Sequence, residues 1–162
     1  MRQGGRRVGA RWRHGAVAAW ALAGAIACAE GATEPVNGQR DAERRWKAGI
    51  GAATAYEMRQ QRLCYCLRTD TVRLTVAGGR ITAAVNERTG VALPEEERQW
   101  YRSVEQLFAE LEAVPAAGGR IREVTFHPTE GYPVQLAVDP IPMAADDEVD
   151  WRSRDVRRVS VP

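Results

Sequence analysis

Apolar and polar residues alternate most cleanly between positions 71 and 86. Val72, Leu74 and Val76 fall on one side and Thr71, Arg73 and Thr75 on the other, and after Gly78-Gly79 the alternation resumes through Ile81, Ala83 and Val85. Two period-two runs joined by a glycine pair predict a β-hairpin, because glycine accepts the positive φ that a tight turn requires. Upstream, residues 55–67 read as a strand with Tyr56, Met58, Cys64 and Cys66 on one face. The polar middle of that strand, Glu57 to Arg62, predicts an edge position. Downstream, 121–126 and 132–138 form a second hairpin about Pro128-Thr129-Glu130-Gly131, and Trp151, Val156 and Val159 mark a last strand.

Two segments carry helical spacing instead. Residues 40–49 have Asp41 and Glu43 near the start, Trp46 as the large apolar anchor, and Gly49 and Gly51 as stop signals. Ser103 with Gln106 three positions later is a capping box, after which Val104, Leu107, Phe108 and Leu111 line one helix face until Pro115 and Gly118-Gly119 end it. Residues 88–101 read as a polar connection. The order is helix, three strands, helix, two or three strands. The predicted fold class is α+β, an antiparallel sheet of about five or six strands with two helices packed on one face.

The first 27 residues do not belong to that domain. Arg2, Arg6, Arg7, Arg11 and Arg13 precede an apolar run over 16–27, the charged and apolar regions of a secretory signal. As a helix that run spans roughly 20 Å, short of the roughly 30 Å hydrocarbon core, so it predicts a removable leader rather than a membrane span. Ala25-Ile26-Ala27-Cys28 resembles a bacterial lipobox, although Ala25 stands where leucine is preferred, and the resemblance implies lipidation of Cys28. Cleavage after Ala27 or Ala29 by an ordinary signal peptidase is the alternative. Acyl chains, at about 0.8 kcal/mol per buried methylene, would hold the protein on the outer side of the cytoplasmic membrane or in the periplasm. Residues 28–39 lack apolar periodicity and read as a flexible tether, which leaves 40–162 as a single domain.

Removing the leader reverses the charge. The whole chain carries a formal +2, and without the five leader arginines the remainder carries −3. No arginine-aromatic stacking platform is visible, so nucleic acid is not an expected partner. The chain has three cysteines, and an odd count in an exported protein asks for an explanation. Lipidation of Cys28 supplies one and leaves Cys64 and Cys66 as a pair.

Taken in order, Trp46, Tyr56 before Cys64-x-Cys66, the hairpin with Gly79 at its turn, Val104-x-x-Leu107-Phe108, Val124-x-Phe126, Gly131-Tyr132-Pro133, Asp139 and Asp146-Asp147-Glu148 are similar to a known family. The chain resembles the bacterial envelope domains grouped as domain of unknown function 6174, many of which carry lipoprotein signals. The resemblance implies a fold and an address and no activity. One departure is His127-Pro128, where the family pattern has Asp-Pro.

Candidate chemistry is sparse. Two positions apart on a regular strand, Cys64 and Cys66 would have Cα atoms about 6.6 Å apart, the outer limit for a disulfide, so a bridge requires a kink. An oxidising compartment favours a structural bridge. Thiol exchange at a strained bridge, a metal site and two free thiols stay open beside it. A zinc site would need His127 beside both cysteines, and four ligands are not evident, so no metal and no cofactor is expected. Asp146, Asp147 and Glu148 lack the alternation of a calcium loop and read as a solvated run or as partners for arginines. Ser103, His127 and Asp139 compose a triad only on paper, since no nucleophile elbow surrounds Ser103. The expectation is a non-catalytic envelope module, held to a membrane by Cys28. It would bind an unknown envelope protein or component through a sheet edge or the Gly131-Tyr132-Pro133 turn, with Asp146, Asp147 and Glu148 as further candidate contacts.

Overall fold

Gly38 holds a φ of +80°, outside the helical range, and the chain turns from it into helix α1, Gln39–Ala48. This is a computed structural model, and it describes residues 38–53, 55–66 and 69–160. The leader, Cys28 and the tether up to residue 37 lie outside the described residues. On α1, Ala42 and Trp46 are buried one turn apart, while Arg40, Asp41, Arg44 and Lys47 face solvent. Lys47 and Glu43 pair across one turn at 2.6 Å. A 3-10 turn, Ile50–Ala52, leads to the sheet.

The strands are β1, Ala55–Cys64; β2, Thr71–Ala77; β3, Arg80–Asn86; β4, Arg120–Phe126; β5, Pro133–Asp139; and β6, Val149–Arg158. Helices α2, Glu95–Arg98, and α3, Val104–Ala116, lie between β3 and β4. All neighbouring strands are antiparallel, in the order β3-β2-β1-β6-β5-β4. The sheet is thus two three-stranded meanders joined where the first strand pairs with the last. The α+β class, the six strands and the helices on one face agree with the reading of the sequence.

The position of β1 does not. It was expected at an edge, and it lies at the centre, between β2 and β6. Its polar residues Glu57, Arg59 and Gln61 alternate with buried Tyr56, Met58 and Gln60, so their polarity marks the uncovered face of the sheet rather than its rim. The same face carries Arg73 opposite Arg59, Arg152 opposite Gln61 and Arg157 opposite Glu57.

β6 needs a bulge to belong there. Strict alternation from buried Trp151 would turn Asp155 inward and Val156 outward. Instead the register with β1 shifts between Glu57 and Arg59, and Asp155 takes a φ of +54°. The extra residue returns Val156 to the core and leaves Asp155 outside, where it accepts from Arg59 Nη1 at 2.7 Å.

Helix α3 opens on the expected capping box. Ser103 Oγ accepts from Gln106 N at 3.2 Å, and Gln106 Oε1 accepts from Ser103 N at 2.8 Å. Val104, Leu107, Phe108, Leu111 and Val114 are buried against the sheet. At about 1.5–3 kcal/mol for each large apolar side chain removed from water, this stripe is the main attachment of the helix. Pro115 lies inside the helix rather than at its end, and the stop falls at Gly118, whose φ of +88° accepts the left-handed cap. The connection over 88–101 is also less irregular than expected. It contains α2, and Leu93 N donates to Ala84 O at 2.8 Å along the outer edge of β3.

Candidate functional site

The two ends of the sheet differ in kind. At the near end, where β1 begins and β6 finishes, one carboxylate ties three elements together. Glu105 Oε1 accepts from Trp46 Nε1 at 3.1 Å, and Oε2 accepts from the Tyr56 hydroxyl at 2.7 Å. The Tyr56 oxygen also accepts from Val104 N at 2.9 Å. Burial, with the Glu105 charge beside it, raises the Tyr56 pKa far above the ordinary tyrosine value. Trp46 packs edge-on against both Tyr56 and Tyr132.

Gly131-Tyr132-Pro133 belongs to this lock. A Cβ on Gly131 would fall 2.1 Å from Ala42 O, so only glycine lets α1 lie against the β4–β5 turn. Tyr132 is 5% exposed, and Pro133 is buried too. The expectation that this turn is an interaction surface is therefore corrected: α1 covers it. His127 serves the same turn, with its ring stacked on Tyr132 and its Nδ1 accepting from Glu130 N at 3.0 Å.

The sheet edges offer little more. Asn86 N donates to Val91 O at 2.9 Å, so residues 91–93 occupy part of the β3 edge. A register shift between Ile121 and Glu123 bulges β4 at Arg122 and blunts the opposite edge.

The far end is where the exposed chemistry collects. Cys64 closes β1 opposite Val149, and the backbone then folds back, with Cys66 N donating to Cys64 O at 2.7 Å. That turn shortens the Cα separation of Cys64 and Cys66 to 5.2 Å, and the pair is disulfide-bonded. Between them Tyr65 is 83% exposed. Arg62 points Nη1 at Cys64 Sγ, 2.8 Å away, and at Cys66 Sγ, 3.6 Å away. Partial burial, with Arg102 adding repulsion, lowers the Arg62 pKa from its usual value.

Beside this hook lies an open hollow of about 460 Å³, bordered by Leu63, Tyr65, Arg122, Gln135, Glu148 and Arg152. The loop between β5 and β6 leaves the sheet at the same end and displays Ile141 and Met143, the latter 95% exposed. Val91, also exposed, follows the same end of β3. The acidic run shapes this loop. Asp147 Oδ2 accepts from Ile141 N at 2.8 Å, Glu148 pairs with Arg122 at 3.2 Å, and Asp146 takes a positive φ of 70°.

A family model described as a family of unknown function, DUF6174, matches residues 39–158. The chain belongs to this family. No curated protein and no solved structure matches it. The DUF6174 match begins at the first residue of α1 and ends at the last residue of β6, so it covers the whole described fold.

Within this DUF6174 domain the candidate catalytic and metal sets do not come together. Ser103 Oγ donates to Gly79 O at 2.7 Å and holds the β2–β3 turn, His127 sits at the near end, and Asp139 closes β5 at the far end. His127, just after β4, and the cysteine pair, at the end of β1, likewise stand at opposite ends of the sheet, with β5 and β6 between those two strands. Among the described residues no group of three or more His, Cys, Asp or Glu is placed to hold a metal ion. No described helix is long and apolar enough to cross a membrane.

The sequence reading passed over Arg62, Gln60 and Glu105. Arg62 shares its strand face with Cys64 at a spacing of two, the one signal that could have singled it out. Gln60 and Glu105 act through partners 42 to 93 and 49 to 59 residues away, which no local pattern reports.

Proposed function

We propose that this chain is an exported, lipid-anchored envelope domain that acts as a binding module, and that the far end of its sheet docks a partner protein of the envelope. The observation that carries the reading is the collection of Tyr65, Ile141 and Met143, all exposed, on the turn after β1 and the β5–β6 loop at one end of the sheet. Scattered single apolar side chains on a surface need no explanation, whereas several at one end, bordered by Arg122 and Arg152, have the composition of a binding patch. The disulfide holds Tyr65 in a short turn, and a rigid aromatic loses little entropy on binding. The chain enters the domain through α1, whose Ala42 lies against Gly131 at the near end. A lipid on Cys28 would therefore tether that end and leave the far end for the partner.

Two measurements test this. Photo-crosslinking residues placed at 65 and at 143 in cells are expected to yield one discrete protein adduct that a residue at exposed Ala109 on α3 does not. Adducts to lipid alone, or equal adducts from all three positions, would sink the docking reading. Mass spectrometry of the protein from its native membrane is expected to find an acylated N-terminal Cys28. An unmodified N-terminus at another residue removes the anchor.

A further inference from the structure

Arg62 is partly buried, and among the described residues it has no carboxylate partner; its guanidinium bonds only the two sulfurs of the bridge. A cation taken out of water without a counter-charge is a cost that an anion would relieve. Neither sulfur carries charge while the bridge is closed. Opening it would create a thiolate within 2.8 Å of Nη1 at Cys64. The bridge closes a ring of only three residues, so it constrains the unfolded chain little and adds little stability. Cys66 is the more exposed of the two.

From this arrangement we propose that Cys64–Cys66 is a reversible thiol–disulfide exchange site for exported protein dithiols, with Arg62 positioned to hold the Cys64 thiolate. A thiolate of the partner attacks Cys66 Sγ. The partner–Cys66 bond forms, the Cys64–Cys66 bond breaks, and the electron pair leaves on Cys64 Sγ beside Arg62. The second thiol of the partner loses its proton to solvent and attacks its own sulfur in the mixed disulfide. Cys66 is released and takes a proton from solvent. The partner ends as a disulfide, oxidised by two electrons, and the pair ends as the Cys66 thiol and the Cys64 thiolate.

The test is independent of the docking partner and uses the purified full chain with Cys28→Ser, so that only the bridge titrates. In glutathione redox buffers the pair is expected to interconvert reversibly, read by alkylation and mass, with circular dichroism unchanged. The reduced protein is expected to show thiolate absorbance at a pH below the free-cysteine pKa of about 8.5. Arg62→Gln is expected to raise the Cys64 thiol pKa by about one unit, a tenfold fall in its ionisation constant, and Arg62→Lys to restore it. Reduction that occurs only on unfolding overturns the proposal. So does a wild-type thiolate titration in the ordinary cysteine range, a measurement that stands even if the Arg62 variants do not fold. An Arg62→Gln titration identical to wild type overturns it as well.

Discussion

The side-chain amide of Gln60 clasps the backbone of Arg102 as a neighbouring strand would. Its Nε2 donates to Arg102 O at 3.0 Å, and its Oε1 accepts from Arg102 N at 2.9 Å. Nε2 donates again to Ser153 Oγ at 3.1 Å. A fully buried amide in the central strand is thereby satisfied, and the segment entering α3 is held to both central strands. Removing the amide would leave the Arg102 groups without those bonds. Gln60→Met keeps the volume, and its expected cost is about 1–3 kcal/mol, checked by urea unfolding. A loss under about 0.5 kcal/mol would show that water replaces the clasp.

Gly131 sets how closely α1 can lie. Gly131→Ala meets Ala42 O and also places an alanine at a φ of +81°. The expected result is a loss of at least about 2 kcal/mol in denaturant unfolding, together with a red-shifted Trp46 emission as α1 lifts. Gly78→Ala shares the positive φ but has open space around the added methyl. It should cost about 1 kcal/mol, so equal effects at the two positions would rule out the close approach as the cause.

Tyr56→Phe keeps the ring in its place against Trp46 but removes the hydroxyl that joins Glu105 to Val104 N. Two groups then lose a partner, and the expected destabilisation is about 1–3 kcal/mol by thermal or urea unfolding. The raised pKa makes a second readout. Tyr132 is raised as well by burial, so spectrophotometric titration of the folded protein should find more than one late-ionising tyrosine, the most strongly shifted of them absent from the variant.

Asp155 gives a pH dependence of definite sign. Its hydrogen bond from Arg59 holds the carboxyl below the ordinary carboxylate pKa. A depressed carboxyl contributes stability that is present above its unfolded value of about 3.9 and is lost as the pH falls through the lower folded value. Asp155→Asn keeps a residue that tolerates the positive φ of the bulge and removes only the charge. Its stability curve should converge on wild type at strongly acidic pH and lie below it near neutrality. Parallel curves from neutral pH downward would show that the ion pair contributes nothing.

Much of the fold is legible in local pattern because the features that announce it act over a few residues. The alternation of 71–77, the turn at Gly78-Gly79, the Ser103–Gln106 capping box and the apolar stripe that follows are set by backbone geometry and by neighbours within four positions, and the structure has them where the chain announces them. Beyond Ile81 the alternation fails, because a bulge opposite Thr75 and Val76 puts Ala84 in the core and turns Ala83 outward. The bulge at Asp155 breaks the same alternation rule. It is invisible locally because the register it adjusts belongs to β1, some 96 residues away in the chain.

The residues of interest divide along the same line. The chain alone paired Cys64 with Cys66 and required a kink between them, since two positions on a regular strand are too far apart to bridge. It also placed the strands, the two long helices and the family likeness. Tertiary structure decided the rest. It moved β1 from edge to centre, because polarity on alternate residues looks the same whether water lies beside a strand or across one face of a sheet. It buried Gly131-Tyr132-Pro133 under α1, separated His127 from the cysteines, and brought Arg62 to the bridge with no acid among the described residues to neutralise it. Each of those outcomes depends on which surfaces meet, and surfaces meet only after strands distant in sequence have paired.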